Sequence, residues 1–97
     1  MDSKILKVLK SYDISASEIK DIINIAPMID VITYEEFKNN CGVLVEQGYP
    51  KSELDFLFLA NPNIFVRSVK DLENELKKLK NSYGDIEVVL KQNPMII

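Results

Sequence analysis

Three prolines stand in the same apolar frame, and that recurrence constrains the fold more than any other feature of the chain. The frames read Ile22-Ile23-Asn24-Ile25-Ala26-Pro27-Met28-Ile29, Leu57-Phe58-Leu59-Ala60-Asn61-Pro62-Asn63-Ile64 and Val89-Leu90-Lys91-Gln92-Asn93-Pro94-Met95-Ile96, with the prolines 35 and 32 residues apart. A period of this size marks stacked supersecondary units, each too small to bury its apolar face alone.

The frame extends well beyond the prolines. Eight residues before each lies Ile19, Leu54 or Ile86, and ten after the first two lie Phe37 and Leu72. A shift of 35 also superposes Leu6 on Cys41 on Leu76, and Leu9 on Leu44 on Leu79. The third copy is three residues shorter, at the turn where Ser82-Tyr83-Gly84 replaces the Gly48–Lys51 stretch. Turns accept deletions that helices do not.

Each copy predicts two helices and a short proline-led turn. Ile19, Ile22, Ile23 and Ala26 follow the i, i+3, i+4, i+7 spacing of one helical face, as do Leu54, Leu57, Phe58 and Asn61. Ser15 and Glu18 have the spacing of a capping box. The proline ends the helix, because it has no amide hydrogen and pushes the residue before it out of the helical region. It is equally suited to open a new turn at the first helical position. Thr33 and Ser68 are the next expected N-caps, and Gly48 and Gly84 stand where a left-handed residue closes a helix. The expected helices span 4–12, 16–26, 34–47, 51–61, 69–82 and 85–93. Val43-Leu44-Val45 and Ile64-Phe65-Val66 have strand-like composition but fixed places in the repeat, so no strand is expected. The fold class is all-α, a single helical-repeat domain over 1–97 with units near 1–32, 33–67 and 68–97. The last unit is expected to be incomplete, for about two and a half in all.

The inventory of reactive groups is short. The chain has no histidine and one cysteine, which leaves no His-based triad, no paired-thiol redox motif and no Cys-rich zinc site. Cys41 falls on Leu6 and Leu76 in the repeat and reads as a small core apolar group. Gly42, Gly48 and Gly84 stand apart and make no phosphate loop. Glu35-Glu36 and Glu53/Asp55 lie near helix starts, where carboxylates are favoured by the helix dipole alone. No catalytic residue, cofactor or metal is expected. No apolar run approaches the ~20 residues of a membrane span, and the first residues lack a signal-peptide layout. With a lone cysteine, a reducing, cytoplasmic location is the expectation.

A helix with Glu then Ile or Leu near its start, ending in proline, followed by a short turn and a leucine-striped helix that closes near glycine, resembles the repeat of the mitochondrial transcription termination factor (mTERF) family. The middle copy, Gly48-Tyr49-Pro50-Lys51-Ser52-Glu53-Leu54 through Asn61-Pro62-Asn63-Ile64-Phe65, carries the resemblance best. It implies a superhelical stack, a solenoid of helix–helix–3₁₀ units, whose concave face serves nucleic acid or partners in organelle gene expression and ribosome assembly.

Charge separates these uses. The net charge is −3, and residues 1–35, 36–68 and 69–97 carry −2, −1 and 0. Phosphate binding needs accumulated Lys and Arg, and no third of the chain has an excess. The expected function is therefore a non-enzymatic interaction module that binds a protein partner. The alternative is an mTERF-like nucleic-acid binder acting in transcription or RNA metabolism, with Arg67, Lys70, Lys77, Lys78 and Lys80 as contacts. A further alternative is an acidic inhibitor of mobile-element or phage origin, which occupies a basic site. Val89, Met95, Ile96 and Ile97 follow the last helix stripe without an obvious cover. They are the expected surface for a partner or for a homodimer through that end.

Overall fold

The residues before Pro27, Pro62 and Pro94 make the same two hydrogen bonds, and these set the frame of the structure. Ala26, Asn61 and Asn93 each donate a last helical amide to the carbonyl four residues back (Ile22, Leu57 and Val89, at 2.8, 2.9 and 3.0 Å). Each then accepts from the amide three residues on (Ile29, Ile64 and Ile96, at 3.0, 3.2 and 3.1 Å). The three share one backbone conformation outside the helical region, with φ of −127°, −152° and −147° and ψ of 76°, 73° and 83°. Steric conflict with the following proline ring dictates that conformation.

The computed structural model describes all residues, Met1–Ile97. It holds six α-helices and no strand: α1 (Ser3–Ser11), α2 (Ala16–Ile25), α3 (Tyr34–Glu46), α4 (Leu54–Ala60), α5 (Val69–Tyr83) and α6 (Ile86–Gln92). Prolines open 3₁₀ turns at Pro27–Asp30 and Pro62–Val66. The expected spans hold to within a residue or two except at 51–61. There Lys51–Glu53 form a separate 3₁₀ turn, and the α-helix begins only at Leu54. Glu53 has left the helical region (φ −119°, ψ 18°), so the two pieces cannot merge into one helix.

The helix starts follow the sequence. Ser15 and Glu18 form the capping box, at 3.1 and 2.9 Å. Thr33, Ser68 and Asp85 cap α3, α5 and α6. Asp2 caps α1 through one carboxylate oxygen and takes the Tyr34 amide on the other, which ties the start of α1 to that of α3. The ends of α1 and α3 repeat as well. Ile14 and Tyr49 donate five residues back, to the carbonyls of Leu9 and Leu44, across Asp13 and Gly48 at positive φ (61° and 111°). Both ends are Schellman motifs, and Asp13 and Gly48 lie 35 residues apart.

Packing runs along two rows. Helix α1 rests on α3 and α3 on α5, α2 rests on α4, α5 on α6, and the two 3₁₀ proline turns touch each other. Asparagines link the turns: Asn63 donates to the Ile25 carbonyl (3.4 Å), and Asn61 to those of Pro94 (2.9 Å) and Ile97 (3.3 Å). Buried Asn40 donates from α3 to the carbonyls of Phe65 and Arg67 (2.9 and 2.8 Å), where the second proline turn ends. Ile19, Leu54 and Ile86 are all buried, and so are Leu9, Leu44 and Leu79. At the centre, the rings of Tyr12, Phe37, Phe58 and Phe65 meet at centroid distances of 4.7 to 5.8 Å. The radius of gyration is 12.6 Å, about that of a globular chain of this length.

Candidate functional site

Helices α1 and α3 do not close on each other along their whole length, and the gap forms a groove of about 400 Å³. One stripe of α3 supplies its long wall, with Tyr34, Lys38, Cys41, Gly42 and Val45 at the three- and four-residue spacing of a helix face. Val8 and Tyr12 face them from α1, and Lys51 and Leu54 close the end beside α4. Phe37 lies on the floor and joins the groove to the aromatic centre.

The floor is fixed by hydrogen bonds. The Tyr12 hydroxyl donates to the Lys51 carbonyl at 2.6 Å, which holds the Pro50–Glu53 connection against the end of α1. Burial pushes the Tyr12 phenol up, and the neighbouring Cys41 and Asp55 push it further. Buried Tyr49 closes the same connection from within by donating to the Glu53 carbonyl at 2.7 Å. Burial raises its phenol to about 12.

Cys41 corrects the sequence reading. It was expected inside the core with Leu6 and Leu76. Leu76 is fully buried, whereas Cys41 and Leu6 are half-buried, because α3 packs closely on α5 but leaves the groove toward α1. Burial nonetheless pushes the thiol up to about 12. It stays protonated at neutral pH and contributes apolar contact surface, since the thiolate is the reactive form.

The lining of the groove is cationic, with Asp2 and Asp55 at its rim, where Asp2 accepts from the Tyr34 amide and Asp55 acts on Tyr12. Lys38 and Lys51 belong to its lining, which contains no carboxylate. Lys4, one helical turn before Val8, sits with its ammonium 5.6 Å from the Tyr34 ring centroid. A second concavity, between α2 and α4, is half polar and carries Glu18, Asp21 and Asn24 beside Ile22, Ile25 and Leu59.

The residues singled out from sequence are not gathered into one patch. Lys70, Lys77, Lys78 and Lys80 are exposed on α5, and Arg67 is half-buried before it. Lys70 and Lys77 share a stripe, but Lys78 and Lys80 point to nearly opposite sides of the helix, about 200° apart. Asp71, Glu73 and Glu75 stand among them, and Lys77 is paired with Glu73 at 3.2 Å. At the other expected surface Val89 is buried, contrary to expectation, because α6 packs that side onto α5. Ile96 and Ile97 are half-buried against the core, and Met95 alone is well exposed, at 65%.

Sequence reasoning missed the groove. Its signal was present in Gly42, an isolated glycine within a helical stripe, and in the Tyr34–Lys38–Val45 line, half-buried at Tyr34 and exposed at Lys38 and Val45, on a helix whose other face supplies the core. No helix is long and apolar enough to cross a membrane. In comparisons with known proteins, no family model, no curated protein and no solved structure matches the chain.

Proposed function

We propose that this protein is a non-enzymatic interaction module, a short mTERF-like helical-repeat solenoid that binds a protein partner. The α1–α3 groove carries the reading. It is a concave, mostly apolar surface that the fold leaves open, and concave apolar surfaces with a few placed polar groups are where binding sites occur. Its one thiol is held protonated, so contact, not covalent chemistry, is what the lining offers. The recurrent hydrogen bonds at Ala26, Asn61 and Asn93 support the stacked-unit description. The interleaved acids on α5 weigh against the nucleic-acid alternative, because neutralising phosphates requires a run of unpaired cations.

The test uses purified wild-type protein and Val45→Glu, which places a charge on an exposed position (40%) of the groove wall. A partner captured from the cells that make the protein should bind the purified wild type directly and lose the variant. Fluorescence anisotropy with duplex DNA and with RNA should give no sub-micromolar binding near ~150 mM salt. Sub-micromolar nucleic-acid binding that disappears on charge reversal of Lys70 and Lys77 would replace this reading with the alternative.

A further inference from the structure

We infer that the α1–α3 groove receives an acidic amphipathic helix of a protein partner. The inference rests on the interaction-module reading and assigns that module its ligand chemistry.

Charge comes first. The chain as a whole is acidic, at net charge −3, yet the groove lining holds Lys38 and Lys51 and no carboxylate. At the Tyr34 end Lys4 is offset by Asp2, which accepts from the Tyr34 amide, so the cationic edge is that of Lys38 and Lys51. An apolar channel edged by cations complements a helix with an apolar stripe flanked by Asp and Glu, and such complementarity sets partner choice and association rate. A helix laid in an apolar groove engages it through side chains at i, i+3 or i+4, and i+7. The wall of α3 presents its own residues at that spacing.

Gly42 is the independent observation. It lies in the interior of α3, where glycine lowers helix stability relative to alanine. The fold does not require it. Its φ is not among the positive values, which belong to Asp13, Gly48 and Gly84. A Cβ built there would meet no atom within 4 Å. What the missing side chain does is keep the groove wall low beside Cys41, so that another backbone can approach. A small amphiphile would need no such clearance along the wall.

The experiment is a selection of displayed helices, each roughly four turns long, randomised at apolar and charged positions, against the full chain. Enriched peptides are expected to carry an apolar i, i+3 or i+4, i+7 stripe with flanking Asp or Glu, and to bind more weakly as salt rises. Their affinity should fall by about tenfold or more for the Lys38→Glu/Lys51→Glu double variant. Both lysines are exposed, so that variant is expected to keep the fold. Gly42→Ala should raise the melting midpoint while weakening the same peptides, a pairing that a purely structural glycine would not produce. Enriched peptides that bind both variants as tightly as wild type would remove the groove assignment and leave the interaction reading intact. If no peptide is enriched over a scrambled library, but decanoate titrates with saturating methyl shifts at Val8 and Val45, the groove takes small amphiphiles and the inference fails. Selection that yields neither peptides nor decanoate binding would also overturn the inference, and the interaction reading would then stand or fall on partner capture alone.

Discussion

The chain makes two kinds of turn, and only one of them repeats faithfully. After α2, α4 and α6 the residue before proline keeps the same dihedral angles and the same two hydrogen bonds, in all three copies. The connections within the helix pairs diverge. The α1–α2 link closes with a Schellman motif and runs directly into a capping box. The α3–α4 link opens with the same motif but adds the 3₁₀ turn Lys51–Glu53. The α5–α6 link is only Gly84 and Asp85. The proline turns lie where units touch, through Asn61 and Asn63, so a change in one must be matched by its neighbour. The links are less bound to one another: the α3–α4 link is held from outside its own pair by Tyr12 and Lys91, and each closes its pair in its own way.

The largest expected effect lies in the helices that both kinds of turn hold in place. Leu44→Ala and Leu54→Ala should each cost about 2–5 kcal/mol in denaturant melts, the range for a truncated core leucine. If both cost less than about 0.5 kcal/mol, these positions do not carry the core and the repeat register is wrong.

Two asparagines show how far the proline turns differ in their side chains. Asn61 and Asn93 occupy the same place before proline, but Asn61 is buried and donates across units while Asn93 is exposed. Asn61→Ala should cost about 1–3 kcal/mol, because two carbonyls lose a buried donor. Asn93→Ala should fall within about 0.5 kcal/mol of wild type. Equal losses would mean that the side chain matters only for local turn conformation.

The helix ends that open the α1–α2 and α3–α4 links should respond to backbone conformation. Gly48→Ala is expected to cost about 1–2 kcal/mol, since alanine resists positive φ. Gly48→Asp should cost less, because Asp13 already holds the equivalent place (φ 61°). An aspartate that is worse than alanine would break the equivalence of those two helix ends.

The smallest effect is electrostatic. Lys91 of α6 bonds to Glu53 and to Glu87 (2.8 Å), bridging the α3–α4 link to the third unit. The hydrogen bond from Lys91 holds Glu53 below the ordinary carboxylate value, and the bonds to Glu53 and Glu87 raise Lys91. The Glu53 contribution is therefore present above the ordinary carboxylate pKa and is lost as pH falls through the lowered one. The Lys91 contribution is present below the ordinary lysine value and is lost as pH rises through the raised one. Glu53→Gln should be slightly less stable than wild type at neutral pH and low salt. The two should converge as pH falls through the lowered Glu53 value, and added salt should shrink the difference.

Much of the fold was legible in the sequence because the apolar period, the N-caps and the prolines agree with one another. Ser15, Thr33 and Ser68 cap where their spacing to the next acidic residue placed them. The division of 51–61 was not legible, since it depends on how Pro50 and Tyr49 are pinned by the end of α1 through the Tyr12–Lys51 bond. The groove was hidden for a related reason. Period alone puts Cys41 and Leu76 at one position, and only the unequal approach of α1 and α5 to α3 separates them. Val89 was misjudged because the stripe of α6 does not reveal that α5 covers it.

The proline turns are equivalent joints in backbone geometry and hydrogen bonding, whereas the links differ from one another in length and closure. Native-state amide hydrogen exchange tests that contrast residue by residue. The amides of Ala26, Ile29, Asn61 and Ile64 should exchange together, near the global unfolding free energy. The exposed amides of Lys51 and Asp85, which donate to no backbone carbonyl outside their helices, should exchange orders of magnitude faster. Proline-turn amides that exchange as fast as those of the links, or that differ from one another by a comparable factor, would contradict the account.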